Sequence, residues 1–290
     1  MALDAFIPEI WNAAILSALQ KALIYAGPGV VNHDYEGDVA EAGDTVRITS
    51  IGRPTVATYT PDSTSITPES IIAANRTLVI DQAKYWAFKV DDINKRQALG
   101  DVMTRAAQEA AYALADVQDQ YVAGLYTQAQ SANVVSSVTV DLTSPSSWDA
   151  EAAKAYNEIL IPLKVKLDEA NVPTVGRYAI LPPWLHGVML RDSRFVKVNE
   201  SGTEQGLRNG QVGRAAGFDI LMSNNCPVPT SNNYIVTAGT DAAITFATQL
   251  SKTEAYRPES AFSDALKGLS LYGAKVIRPD SLAYATAISS

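Results

Sequence analysis

Residues 101–128 carry the strongest structural signal in the chain: DVMTRAAQEAAYALADVQDQYVAGLYTQ. Apolar side chains recur there at helical spacing and predict one buried face, made of Met103, Ala106, Ala107, Ala110, Leu114, Val117, Tyr121 and Leu125. We expect the charged side chains to lie mostly off that face, namely Arg105, Glu109, Asp116 and Asp119. At a rise of about 1.5 Å per residue, the predicted helix is a rod of about 40 Å.

On the N-terminal side of this helix, residues 43–92 predict a long two-stranded hairpin. Thr45–Thr49 and Leu78–Ile80 have the composition of strands, whereas Thr60–Ser70 is polar and has little to bury. A pair of strands alone is only marginally stable in water. We therefore expect the hairpin to lie on another surface, which could belong to a second copy of the chain.

Before the hairpin, an amphipathic helix is predicted to begin near Pro8, because apolar residues recur at helical spacing at Ile7, Trp11, Ala14, Ile15, Ala18, Leu19, Ala22 and Leu23. This helix could be part of the core or could dock on a neighbouring subunit. Asp4 and Glu9 stand where an export signal needs a basic region, so we expect no export. No apolar run approaches the roughly 20 residues that span a bilayer, so we expect a soluble protein without membrane contact.

After the long helix, helical and strand-like segments alternate. Residues 131–147 are rich in Ser, Thr and Pro and predict a linker between subdomains. A helix disturbed at Pro162 is predicted over Trp148–Ala170, and Pro182-Pro183 is predicted to begin a short helix. Strands or apolar runs are predicted at Tyr178–Leu181, Phe218–Met222, Tyr234–Thr237, Ala243–Ala247, Leu269–Ile277 and Leu282–Ile288.

Residues that could carry chemistry are few and scattered. The two histidines, His33 and His186, and the single Cys226 lack metal-ligand spacing, and the carboxylates of residues 33–44 lack the spacing of an EF-hand loop. We interpret the acidic run as a solvated turn or a charged subunit contact. The glycines of residues 206–217 fit neither a dinucleotide fingerprint nor a Walker loop, and no nucleophile elbow is present. We predict no catalytic, cofactor-binding or metal-binding residue and no enzymatic activity.

Several phrases, taken in their order along the chain, resemble the major capsid (coat) proteins of tailed bacteriophages. They are FIPEIW at 6–11, NHDYE at 32–36, AGDTV at 42–46, RYAILPP at 177–183 and GRAAGFDI at 213–220. Each phrase is weakly specific alone, whereas their order spans nearly the whole chain. The resemblance implies a soluble structural subunit of a virion shell.

The resemblance also implies an α+β fold and a domain division. It places an N-terminal arm at 1–40, an extended loop at 41–92, a peripheral domain at 93–146 and 245–290, and an axial domain at 147–244. In such shells the extended loop lies over a neighbouring subunit, and axial domains meet at the centres of hexamers and pentamers. The candidate intersubunit contacts lie in the arm and the extended loop: Phe6, Trp11, Arg47, Arg53, Tyr59 and Arg76.

Partners follow from the same resemblance. We find no room for an inserted domain or a cleaved scaffold segment, so we expect a separate scaffolding protein, together with a portal and assembly in the host cytoplasm. A net charge of −8 offers no diffuse cationic surface for phosphates, so we expect the shell to enclose DNA without tight or specific binding. Some relatives join subunits through a lysine–asparagine isopeptide bond. Thr60–Ser70 contains no lysine and no asparagine follows Asn233, so we predict a non-covalent shell.

Two alternatives remain at this point. A cellular nanocompartment shell has the same fold and encloses cargo enzymes instead of a genome. An α/β hydrolase or a carbohydrate-binding protein would need a cleft with paired carboxylates or aromatic platforms, and the sequence does not point to such a cleft.

Overall fold

The computed structural model describes residues 24–34, 45–51, 56, 58, 61, 73–91, 102–143, 147–192, 213–258 and 263–290. Its strands are β1 (Thr45–Ile51), β2 (Ala73–Val79), β3 (Gln82–Asp91), β4 (Val134–Val140), β5 (Arg177–Leu181), β6 (Arg214–Ala215), β7 (Phe218–Met222), β8 (Asn233–Thr240), β9 (Ile244–Tyr256), β10 (Ser263–Val276) and β11 (Leu282–Ser289). Its α-helices are α1 (Val102–Ala123), α2 (Trp148–Ala155), α3 (Ile161–Glu169) and α4 (Pro183–Met189). The predicted mixture of helices and sheets is confirmed.

Helix α1 confirms the predicted long helix, although it ends earlier than predicted. It runs for 22 residues, about 33 Å, and continues as a 3₁₀ turn over Gly124–Gln128. Glycine is a poor helix former, which accounts for the change at Gly124. The predicted buried face is partly wrong: Val117 is 39% exposed and Asp119 is buried. Alanines on several sides of the helix leave the apolar period ambiguous, and the buried face includes polar residues that find partners.

A three-stranded antiparallel sheet, in the order β3-β10-β9, lies against α1. The buried Gln118 of α1 donates its side-chain amide to the Ser270 hydroxyl of β10 at 3.2 Å. On β3, Trp86 packs so closely on Gly268 that an added Cβ there would lie 2.5 Å from the indole ring. Small residues on β10 therefore allow large side chains of its neighbours to cross it.

The predicted hairpin is confirmed by β1 and β2, which pair antiparallel from Thr45↔Val79 to Ile51↔Ala73. Its second strand begins and ends earlier than the predicted Leu78–Ile80. Its base lies on the chain's own three-stranded sheet. A small core joins hairpin and sheet, and its members are Ile48, Leu78, Ile80, Ala247 and Leu271. Gly273 of β10 makes this contact possible, because an added Cβ would lie 2.4 Å from the Val79 carbonyl oxygen.

A six-stranded mixed sheet, in the order β4-β11-β8-β5-β7-β6, forms the second half of the subunit. The prediction of a linker over 131–147 is wrong at β4, which pairs parallel with β11. Two adjacent exposed serines, Ser136 and Ser137, interrupt the alternation of buried and exposed residues in β4 and hide the strand in the sequence. The main core lies between this sheet and α2, α3 and α4, and it buries Leu163 and Leu167 of α3 and Leu185 of α4.

The predicted disturbance near Pro162 is confirmed. Helices α2 and α3 are joined by a π-helical turn over Tyr156–Leu160, immediately before Ile161-Pro162. A proline inside an α-helix has no N–H for the hydrogen bond and clashes with the carbonyl four residues earlier, here that of Glu158. The wider π turn relieves this clash without ending the helix.

Candidate functional site

Four of the six candidate contact residues lie outside the residues that the structure describes: Phe6, Trp11, Arg53 and Tyr59. Arg47 lies in β1 and pairs with Thr77 of β2. Arg76 is exposed, and its Nη1 donates to the Val276 carbonyl at 3.1 Å. Arg76 thus ties the hairpin to β10 of its own chain.

The hairpin has one covered side and one exposed side near its base. Ile48 and Leu78 are buried against the three-stranded sheet, whereas Thr77 is exposed and Val79 is 44% exposed. Successive residues of a strand point to opposite faces, so the exposed side faces away from the subunit's own core. Among the described residues, Thr77 and Val79 are therefore accessible to another subunit.

One face of the three-stranded sheet presents large exposed side chains. Tyr85 of β3 is 83% exposed and pairs with Leu269 of β10, which is 37% exposed. Beside them, Lys267 forms a 2.9 Å ion pair with Glu254 and lies 5.2 Å from the ring centroid of Tyr256. Tyrosine is enriched at protein-binding surfaces.

A buried carboxylate fixes the point where residues 1–23 join the described part of the chain. Asp119 is 2% exposed, and its Oδ1 accepts the backbone N–H groups of Ile24 at 2.9 Å and Tyr25 at 2.6 Å. Its Oδ2 accepts the side-chain amide of Asn225 at 3.0 Å. No local pattern in the sequence indicates this role, because all three donors lie about a hundred residues away along the chain.

A buried arginine fixes the loop between α3 and β5. The Arg177 side chain is 2% exposed and forms a 2.7 Å ion pair with Asp168. Its other N–H groups donate to the carbonyls of Val172 at 2.6 Å and Pro173 at 2.8 Å. The hydrogen bond from Arg177, with Lys164 adding to it, holds the pKa of Asp168 below its usual value. Asn171 and Gly176, both turn formers, are the sequence signal that could have located this loop.

The groups with chemical potential are buried and separated. Burial raises the pKa of the Cys226 thiol to about 11, and the Tyr25 hydroxyl donates to its sulfur at 3.4 Å. The thiol therefore stays protonated at neutral pH and is a poor nucleophile. Burial also lowers the pKa of His186, which keeps its imidazole neutral. Among the described residues, no three His, Cys, Asp or Glu side chains are placed to hold a metal ion.

An open cleft of about 290 Å³ lies near the end of α1, and its lining residues are Gln120, Gly124, Asn224, Asn225, Cys226 and Pro227. These residues supply no carboxylate pair and no histidine, so the cleft lacks the acid and base of a hydrolase. Of the helices in the described ranges, none is long and apolar enough to cross a bilayer.

Comparisons with known proteins match this architecture to capsids. Residues 75–285 match the family model for phage capsid proteins, whereas no curated protein matches the chain. A structure from Mycobacterium phage Che8 is 27% identical, with 88% of each chain covered and a TM-score of 0.68. The capsid structure of cyanophage P-SCSP1u is 18% identical, covers 87% of this chain and 85% of that chain, and has a TM-score of 0.67.

A virus-like particle from Pyrococcus furiosus shares the fold at 14% identity, with 97% of this chain and 99% of that chain covered and a TM-score of 0.53. This likeness does not favour a nanocompartment over a phage shell. The family match covers more than two thirds of the chain and agrees with the α+β capsid fold. The chain belongs to the phage capsid protein family, and it is a major capsid protein, one of the many copies that form the shell of a virion.

Proposed function

We propose that the segment 41–92 is the main clasp between neighbouring subunits of the shell. The observation that carries the proposal is the base of the hairpin, which is fixed on one side and is exposed on the other at Thr77 and Val79. The core around Leu78 and the hydrogen bond from Arg76 to the Val276 carbonyl hold the base. Strands that are already paired at the base of the hairpin lose less entropy when they bind a neighbour. The clasp contacts include Arg47, Arg53 and Tyr59, and the N-terminal contacts are Phe6 and Trp11.

Within this proposal, α1 forms the peripheral domain together with β9 and β10, and the six-stranded sheet forms the axial domain. Strand β3 belongs to the clasp segment and pairs with β10 of the peripheral domain. Residues 1–40 form the N-terminal arm. Strands β4 and β11 fall within the sequence limits of the peripheral domain, 93–146 and 245–290. Their pairing with each other and with β8 favours counting them with the axial domain instead.

The shell is held together without covalent bonds between subunits. Support comes from the absence of lysine in Thr60–Ser70 and of asparagine after Asn233. Purified particles are expected to run as a single 31.0 kDa species on a denaturing gel. A ladder of larger oligomers that survives denaturation contradicts this proposal.

The subunit has no enzymatic activity and needs no cofactor. It assembles in the host cytoplasm with a separate scaffolding protein and a portal, and it encloses DNA with little affinity for it. The net charge of −8 supports weak DNA binding, because tight non-specific binding depends on many phosphate contacts from cationic residues. In a titration at physiological salt, a dissociation constant below about 1 µM would argue against this proposal.

Electron microscopy of the expressed chain, with and without its neighbouring gene products, tests the function. Closed shells of uniform size are expected, and a persistent monomer contradicts the proposal. A shortened variant tests the clasp. In this variant Asn-Gly replaces residues 52–72 and can close a two-residue turn between the paired Ile51 and Ala73. This variant is expected to fold and to form no shells. Normal shells from it would show that the clasp lies elsewhere.

A further inference from the structure

The loop between α3 and β5 presents an apolar side chain to solvent. Val175 is 80% exposed, and its neighbours Pro173, Thr174 and Gly176 are exposed as well. An exposed valine alone needs no explanation, because much of any protein surface is apolar. The loop is notable because the subunit holds it rigidly from both ends.

The N-terminal end of the loop is fixed by the way α3 terminates. Asn171 has a left-handed backbone with φ of 57°, and its N–H donates to the Asp168 carbonyl at 3.0 Å. The N–H of Val172 donates to the Leu167 carbonyl at 3.0 Å, and both of these side chains are buried. These two hydrogen bonds form a Schellman motif, which satisfies carbonyl groups at the end of the helix.

The C-terminal end of the loop is fixed by Arg177. Its buried guanidinium binds the Val172 and Pro173 carbonyls and the Asp168 carboxylate together. Gly176 has φ of 73°, a backbone conformation that turns the chain into β5 and that glycine adopts without strain. The side chain of Val175 is therefore presented from a pre-ordered position.

The loop also differs in charge from the helix that precedes it. Residues 170–176, ANVPTVG, contain no charged side chain, whereas four of the six residues 164–169 are charged. Depletion of charge around an exposed apolar residue is typical of the centre of a protein–protein interface. The absence of any lysine or arginine in the loop disfavours nucleic acid as the partner.

We propose that the loop 170–176, with Val175 at its tip, is a contact surface for a second copy of this chain. The choice of partner rests on the proposed assembly, because a subunit of a many-copy shell meets other copies on several sides. Arg177 is a positioning residue for this contact: it holds the loop and does not itself reach the partner.

Thiol labelling tests the contact directly. The natural Cys226 is buried, so in a Val175→Cys variant of the full chain a maleimide reports on position 175. Labelling is expected to be at least tenfold slower in shells than in unassembled subunits. A Glu158→Cys variant is the control, because Glu158 is exposed in the turn between α2 and α3 and lies outside the loop. It is expected to label at similar rates in shells and in unassembled subunits. Equal labelling of position 175 in shells and subunits overturns the contact.

A charge at the tip provides a second measurement. Val175→Asp is expected to reduce the yield of shells at least tenfold while the subunit keeps its thermal stability. Val165→Asp, at a 45% exposed valine of α3, is the matched control and is expected to assemble normally. Normal assembly of Val175→Asp overturns the contact alone. A wild-type chain that never forms shells overturns the proposed function, and the contact with it.

Discussion

Replacing Asp119 with alanine is expected to destabilise the subunit, because Asp119 holds the first described residues of the chain against the long helix. The substitution removes the acceptor of three hydrogen bonds, from the N–H groups of Ile24 and Tyr25 and from the Asn225 amide. The Tyr25 N–H is left buried, where water cannot replace the lost carboxylate. A buried donor without a partner costs free energy in proportion to its lost solvation.

The magnitude follows from these partners. Each hydrogen bond to a charged acceptor contributes about 1.5–3 kcal/mol, and the three are not additive because they share one carboxylate. We expect Asp119→Ala to lower the free energy of unfolding by about 3–5 kcal/mol, which is less than the sum of three separate hydrogen bonds to a charged acceptor. Asp119→Asn is expected to cost about 1–3 kcal/mol, because an amide oxygen can still accept backbone N–H groups but its NH₂ opposes that of Asn225.

Urea unfolding of unassembled subunits, followed by tryptophan fluorescence, measures both values. Asp116 is the matched control: it lies three residues before Asp119, and its Oδ1 accepts the same Asn225 amide at 2.8 Å, but its side chain is only partly buried. Asp116→Ala is expected to cost less than about 1 kcal/mol, because water can replace it. If Asp119→Ala stays within about 1 kcal/mol of the wild type, the carboxylate does not hold the chain at Ile24, and the reasoning fails.

Three further changes test other parts of the fold. Gly273→Ala places a Cβ 2.4 Å from a β2 carbonyl oxygen and is expected to lower the free energy of unfolding in urea by about 1–3 kcal/mol. Gly213→Ala, at a glycine with open space around it, is the control and is expected to lower it by less than about 0.5 kcal/mol. Equal effects of the two substitutions would show that β2 does not approach Gly273 closely. Ala216 has φ of 50° in the two-residue turn between β6 and β7, so Ala216→Asn is expected to raise the melting temperature, and a decrease contradicts this. The hydrogen bond from Arg177 lowers the pKa of Asp168 in the folded subunit. The stabilisation from this hydrogen bond is therefore complete above the pKa of Asp168 in the unfolded chain, about 3.9, and is lost as the pH falls through its pKa in the folded subunit. The stability gap between wild type and Asp168→Asn is therefore expected to shrink between pH 6 and pH 3, and a constant gap would exclude the ion pair as its source.

Local patterns predicted the elements whose signals are local. The helix over 102–123 carries a helical period, and the hairpin and the strand Phe218–Met222 have the composition of strands; the structure confirms all three. Strand β4 was missed because its buried face is completed by β11, about 150 residues later, and its own alternation is broken by two serines. A strand whose partner is so distant gives a weak signal in a single sequence.

The roles of Asp119 and Arg177, which hold segments of the chain in place, are absent from the sequence prediction for a related reason. Asp119 was predicted to lie off the buried face, as a charged helix residue commonly does. Its burial depends on donors from Ile24 and Asn225, which the sequence separates from it by 95 and 106 residues. The capsid resemblance carried the shell function, because the order of weak phrases along the chain holds information that no single pattern contains.

The anchors share a physical logic. Asp119 fixes the chain at Ile24, Arg177 fixes the loop 170–176, and Gly273 lets the hairpin base settle on β10. Each one orders a segment at the edge of the subunit body before any partner arrives. A segment that is ordered in advance leaves a smaller entropy loss for the association step. Weakening an anchor is therefore expected to lower the affinity between copies even where the subunit remains folded, because the cost of ordering then falls on assembly.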